Sequence, residues 1–211
     1  IWKPVYLVGA TQLLVLDTVA TVTSDPSDPQ KPLTETTANW RVKVVTRVNL
    51  TAASSVKYNV AGNWSGSSAV SQMLKLPAGV STINATLYAT GVQLWWPHGM
   101  GAQKLYYINV TAQVGRTTAV QIGRNIGFRS INIHARLATN TTPQLHQYRG
   151  NGVPFFAKGA NWVPPDSLHA KVTDDALCSY IESAQNANYN FLRVWGGGDF
   201  PANAFFDCAD T

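Results

Sequence analysis

From Trp40 to Leu50 the chain reads WRVKVVTRVNL, apolar and polar side chains alternating almost without a break. A period of two belongs to a strand with one dry and one wet face, because successive side chains of an extended backbone point to opposite sides. A helix would mix these valines and cations on every face. The segment therefore demands sheet neighbours and a core. SVKYNVAG (55–62) repeats the pattern, and 13–23, 80–89, 104–113, 117–123 and 126–134 read as further strands. Between 13–23 and the Trp40–Leu50 segment lies SDPSDPQKP (24–32), whose Pro and Asp residues break regular structure. So many short strands with polar turns predict an antiparallel, immunoglobulin-like β-sandwich over residues 11–135.

Charge follows the same logic. The chain has 211 residues, 45% hydrophobic and 13% charged, with a net charge of +5. Residues 1–160 carry 14 Lys/Arg against 4 Asp/Glu, whereas 161–211 carry 2 against 7. The cations alternate with apolar residues, as in Arg41, Lys43 and Arg47, so they read as the wet face of a strand. No basic cluster is interleaved with aromatics, which argues against a nucleic-acid partner. The longest apolar runs, LLVL and LWWP, fall far short of the ~20 residues of a membrane span. The four histidines, His98, His134, His146 and His169, match no metal-ligand spacing, so neither metal nor cofactor is expected. Cys178 and Cys208 follow the apolar phase of helices and read as two buried thiols. Five N-x-S/T sequons, at Asn49, Asn63, Asn84, Asn109 and Asn140, suggest a glycoprotein, secreted or lysosomal. Ile1 is not Met and Thr211 falls within a helical pattern, so both ends read as cut.

From about residue 145 the rhythm changes. Asn151-Gly152 between two apolar stretches signals a hairpin. From Asp174 to Asn188 apolar residues recur every three or four positions, with Thr173 placed as N-cap. NFLRVW follows as an apolar strand interrupted by one arginine, then a glycine run, then a second helix from about Pro201. Strand, helix, strand, helix with short connections predicts parallel α/β structure, the opening of a larger domain.

The residues suited to chemistry collect at the carboxyl ends of these strands, where loops of α/β barrels meet ligands. They are Asn161, Trp162 and Asp166 after the first, and Arg193 and Trp195 with Gly196–Gly198 after the second. A tryptophan offers a flat face to the C–H side of a sugar, and Asn161 gives and accepts hydrogen bonds. Arg193, on an apolar strand, needs a partner or a polar cavity. The plainer reading of Trp162 is core, and that of the glycines is a tight turn.

GVQLWWPHGMGAQKLYYINV (91–110), NGVPFFAKGANWVPPDS (151–167) and NFLRVWGGGDF (190–200) resemble, in order, the linked signatures of β-mannosidases of glycoside hydrolase family two. IWKPVYLVG at the start resembles the segment closing that family's jelly-roll domain. The resemblance implies that residues 1–10 end a jelly roll, 11–135 form the sandwich, and 136–211 begin a (β/α)8 barrel that is truncated here. It implies hydrolysis of terminal β-D-mannose from glycans and mannooligosaccharides with retention, by two glutamates further along the barrel. The glutamates of this chain, Glu35 and Glu182, match neither motif, so no catalytic residue is expected in it and the fragment is expected to be inactive. Arg193 matches the arginine that orients the nucleophile, and Trp195 the tryptophan lining the mannose subsite. Asn161, Trp162 and Asp166 match the first-strand loop. Trp95 and Trp96 would pack the sandwich on the barrel. Around Pro201 the sequence departs from the family. A different reading of the same residues is a non-catalytic carbohydrate-binding or adhesion module built on the sandwich.

Overall fold

The computed structural model describes residues 5, 7–25, 31–67, 69–116, 119–137, 139 and 145–210. β1 (Leu13–Asp25), β2 (Asn39–Leu50) and β5 (Gly79–Thr90) form one antiparallel sheet in the order β1-β2-β5. β3 (Ser54–Gly62), β4 (Val70–Leu76), β6 (Leu105–Val114) and β7 (Ala119–Gly127) form a second, ordered β4-β3-β6-β7. On β2 the inward set Trp40, Val42, Val44, Thr46, Val48 and Leu50 is buried, while Arg41, Lys43, Arg47 and Asn49 are exposed. Val56, Tyr58 and Val60 of β3 and Ile108, Val110 and Ala112 of β6 join the same core from the other sheet. Each fully buried side chain of this size contributes roughly 1.5–3 kcal/mol.

One polar chain crosses that core. The Thr18 and Thr46 hydroxyls lie 3.1 Å apart, and Thr46 shares a 2.8 Å hydrogen bond with the Tyr58 hydroxyl of the opposite sheet. Tyr58 is fully buried, so this bond keeps its hydroxyl satisfied and ties the two sheets together.

The stretches expected as strands at 117–123 and 126–134 become β7 and β8 (Ile131–Arg136), with a break at 128–130. Residues 117 and 118 lie outside the described residues. The break has a packing cause. Phe128 is fully buried, its ring 5.3 Å from Trp64, 5.2 Å from Tyr106 and 5.6 Å from Trp40, so the chain leaves the ladder to plug the end of the core. β4 is an addition to the expected strands: its burial alternates from residue to residue, but Gln72 faces inward and Met73 outward, so apolar and polar residue types do not follow that alternation. Residues 7–10 are exposed and form no strand, although the apolar run from Ile1 to Val8 reads as one; residues 1–4 and 6 lie outside the described set.

Beyond the two sheets, β8, β9 (Leu145–Gly150) and β10 (Val153–Phe155) form a third, ordered β10-β9-β8. The expected hairpin is the Asn151-Gly152 turn, with φ of 50° and 78° at its two central residues. Two positive φ values match a type I′ turn, which suits Asn-Gly. Asn151 is wholly buried. Its Oδ1 accepts from the Ser130 N–H (2.9 Å) and its Nδ2 donates to the Trp95 carbonyl (2.9 Å). Its backbone N–H donates to Ser130 and its carbonyl accepts from Leu33 N–H. A Cβ on Gly152 would collide with the Lys31 carbonyl, so glycine is required where this turn meets the 31–33 loop.

The chain then runs through β11 (Gly159–Trp162), a short 3-10 helix (His169–Lys171), α1 (Asp174–Asn186), β12 (Phe191–Val194) and α2 (Asn203–Ala209). Thr173 caps α1 as expected, its hydroxyl accepting from the Ala176 N–H at 3.2 Å. Asp174 and Asp175 occupy the first turn, where the helix dipole favours negative charge. The helix stops at Asn186 and the chain turns through Asn188 at φ 61°. No helix among the described residues is long and apolar enough to cross a membrane.

Candidate functional site

β11 and β12 pair in parallel, Gly159 with Phe191 and Asn161 with Arg193. Glycine permits the first pairing, because a Cβ on Gly159 would run into the Phe191 carbonyl. Asn190 ties the amino ends together: its Oδ1 accepts from Lys158 N–H (2.8 Å) and its Nδ2 donates to the Phe156 carbonyl (3.1 Å). At the carboxyl ends the Trp195 N–H donates to the Trp162 carbonyl at 2.9 Å.

The register places Asn161 and Arg193 side by side on one face, and Arg193 Nη1 donates to Asn161 Oδ1 at 3.1 Å. Arg193 is exposed and has no carboxylate partner among the described residues, so most of its five donors remain available. Trp195 follows on the next loop, 44% exposed. A Cβ on Gly197 would strike its indole, and one on Gly198 would strike Pro164 at 2.7 Å, so these glycines make room for the ring to fold across the turn. Asn161, Arg193 and Trp195 thus share the carboxyl-end loops of the strand pair.

Trp162 does not join them. Alternation turns it to the opposite face of β11, where its ring lies 4.6 Å from Phe205 and 5.8 Å from Tyr180. There it packs the helices onto the strands. Asp166 is half-buried, and its Oδ1 accepts from the Leu168 N–H at 2.7 Å, shaping the entry to the 3-10 helix. The two cysteines are not free thiols. Cys178 of α1 and Cys208 of α2 form a disulfide with Cα atoms 5.3 Å apart. The helical phase that makes each cysteine look buried also aims both at the seam between the helices. Nothing in a spacing of 30 residues announces the pairing.

No family model matches the chain. It is 31% identical over 175 residues to β-mannosidase A of Aspergillus terreus, an alignment covering 77% of this chain and 18% of that protein. It is 35% identical over 119 residues to β-mannosidase of Capra hircus, covering 56% of this chain and 14% of that protein. The chain is β-mannosidase-like. Among solved structures, the β-D-mannosidase of Dictyoglomus thermophilum superposes with a TM-score of 0.79 at 24% identity, covering 96% of this chain and 24% of that one. That likeness is one of fold. The chain therefore spans less than a quarter of each of these relatives.

In this β-mannosidase-like chain the glutamates stand apart from the Asn161–Arg193 pair. Glu35 is exposed in the loop before β2. Glu182, on α1, borders a cavity of about 420 Å³ with His98, Gln103, Gln185 and the disulfide. His98 and Gln103, which follow Trp95 and Trp96 in the chain, line the other side of this cavity. Trp95 stacks under the Arg129 guanidinium at 4.1 Å and takes the Asn151 bond described above, while Trp96 packs against the sandwich core. Burial lowers the pKa of Arg129 and Asp210 opposes it; burial raises Asp210, with Arg129 opposing and Asp207 adding to the rise. Among the described residues no three His, Cys, Asp or Glu side chains gather as a metal site. Asn140 and the side chain of His169 lie outside the described residues.

Proposed function

We propose that these 211 residues are the part of a retaining β-mannosidase that joins its immunoglobulin-like domain to the start of its (β/α)8 barrel. In this reading residues 1–10 close a jelly roll, 11–135 are the sandwich, and 136–211 supply the first two βα units. The substrate is a terminal β-D-mannoside of a glycan or mannooligosaccharide. The observation that carries the reading is the Asn161–Arg193 hydrogen bond beside Trp195, at the carboxyl ends of two parallel strands.

Retaining hydrolysis uses two carboxylates about 5 Å apart, one as nucleophile and one as acid and base. Arg193 is built to hold such a carboxylate: its guanidinium is planar and permanently charged, and Asn161 already fixes one of its nitrogens. Trp195 offers its exposed face to the sugar. Asp166 holds the first-strand loop in shape, and Trp162 supports the site from the helix side. The disulfide and the sequons support a secretory route, to the outside or the lysosome.

The test has two arms. The 211 residues alone should release no p-nitrophenol from p-nitrophenyl β-mannoside. A chimera carrying them in place of the matching segment of the Aspergillus terreus enzyme should turn it over, and Arg193→Ala in that chimera should lower kcat/KM by at least about 10²-fold. Turnover by the short chain, or a folded chimera indifferent to Arg193, overturns the reading.

A further inference from the structure

The two stacked sheets have four edge strands, and they are protected unequally. A free edge presents unpaired backbone groups that can recruit another chain, and proteins blunt it with charge, proline, bulges or brevity. β1 carries Asp17 and Asp25, with a register shift between Val15 and Asp17. β4 is 7 residues long and carries Lys75. β7 carries Arg124. β5 has 12 residues, GVSTINATLYAT, with neither a charge nor a proline, and leaves Val80 and Tyr88 about 60% exposed. Two side chains reach its backbone: Gln72 Nε2 of β4 donates to the Asn84 carbonyl (3.4 Å), and Trp64 Nε1, from the loop between β3 and β4, donates to the Tyr88 carbonyl (3.0 Å). By composition it is the strand most apt to pair with a stranger.

At the middle of this strand stands Asn84-Ala85-Thr86, a sequon whose asparagine is exposed on the outer face. We propose that Asn84 carries an N-linked oligosaccharide whose bulk guards the β5 edge against strand addition. The glycan takes the place of the charge that the other three edges carry. Attachment joins Asn84 Nδ2 to the anomeric carbon of the sugar, breaks that carbon's bond to the pyrophosphate of a polyprenyl-linked donor, and releases one amide proton. Asn109 is the internal contrast. It sits on β6, between β3 and β7, half-buried with its Oδ1 shut off from solvent, so its side-chain amide is less open to a glycan than that of Asn84. The inference rests on the secretory part of the proposed function and is independent of the substrate.

The test is secretion of the full chain from a eukaryotic host, followed by glycopeptide mapping and light scattering. Asn84 is expected to be occupied and Asn109 bare. Asn84→Gln and Thr86→Ala, which each remove the sequon, should associate at about tenfold lower concentration than the secreted parent. Thr86→Ser, which keeps the sequon, should behave as the parent, and Asn84→Lys should restore solubility by charge alone. A secreted chain bare at Asn84, an occupied Asn109, or a glycan-free Asn84→Gln protein no more prone to associate than the parent overturns the proposal. Two free thiols in the secreted chain would refute the secretory reading separately.

Discussion

Reducing the Cys178–Cys208 disulfide should loosen the strand pair that carries Arg193 and leave the stacked sheets untouched. The bond closes a loop of 30 residues, which encloses β12, Arg193, Trp195 and the glycine turn. By chain entropy, releasing such a loop costs about 3.6 kcal/mol at 25 °C. The apolar burial available locally is of similar size. Leu177 and Phe205 are the fully buried hydrophobics of the α1–β12–α2 unit, together worth roughly 3–6 kcal/mol. Among the described residues β11 and β12 also have no third strand beside them, as independent stability would require. At 1.4 kcal/mol per factor of ten, the open population of residues 159–210 should rise several hundred-fold on reduction. Hydrogen exchange read by mass spectrometry, with and without a phosphine reductant, measures this directly. Amides of β2, β3 and β6 serve as the internal reference, because their core contains no cysteine. Unchanged exchange in 159–210, or two alkylatable cysteines in the unreduced chain, would refute the reasoning.

Asn151→Ala should destabilise the protein by about 2–4 kcal/mol in denaturant melts, since it strands the half-buried Ser130 N–H and Trp95 carbonyl and places alanine at φ 50°. Asn151→Gly should cost less, because glycine accepts that φ. Tyr58→Phe should cost about 1 kcal/mol by removing the bond to Thr46. Burial raises the Tyr58 pKa and the Thr46 bond only partly opposes it, so the folded state holds this proton more tightly than the unfolded one. Its contribution is complete below the ordinary tyrosine pKa of about 10 and is lost as pH climbs through the folded value. Melts should therefore fall in that window for the parent, and less steeply for Tyr58→Phe.

Much of the fold was legible because its signals are local. The alternation at 40–50 names the buried face of β2 residue by residue, since a strand's period is fixed by backbone geometry. Asn151-Gly152 announces its hairpin because few residues tolerate two successive positive φ values. Thr173 announces α1 because its hydroxyl answers an N–H three positions on. The candidate site was legible in part. Arg193 stood out as a cation on an apolar strand, and Asn161 as a polar residue at a strand end, but their hydrogen bond depends on a parallel register between segments 32 residues apart.

β4 is not legible because Gln72 faces inward and Met73 outward, against the alternation of residue types, and the break at Phe128 is set by the aromatic rings it packs among. Trp162 is the sharpest case. Its neighbours in sequence suit a sugar, yet pleating turns its ring toward Tyr180 and Phe205 on the helices. By itself the sequence determined the strongly alternating strands, the hairpin, the helix cap and the inventory of polar groups. Tertiary structure alone decided that Cys178 meets Cys208, that Asn151 locks three segments together, and that Arg193 lies against Asn161. Backbone preferences act over a few residues, whereas those contacts join residues brought together only when distant apolar faces leave water.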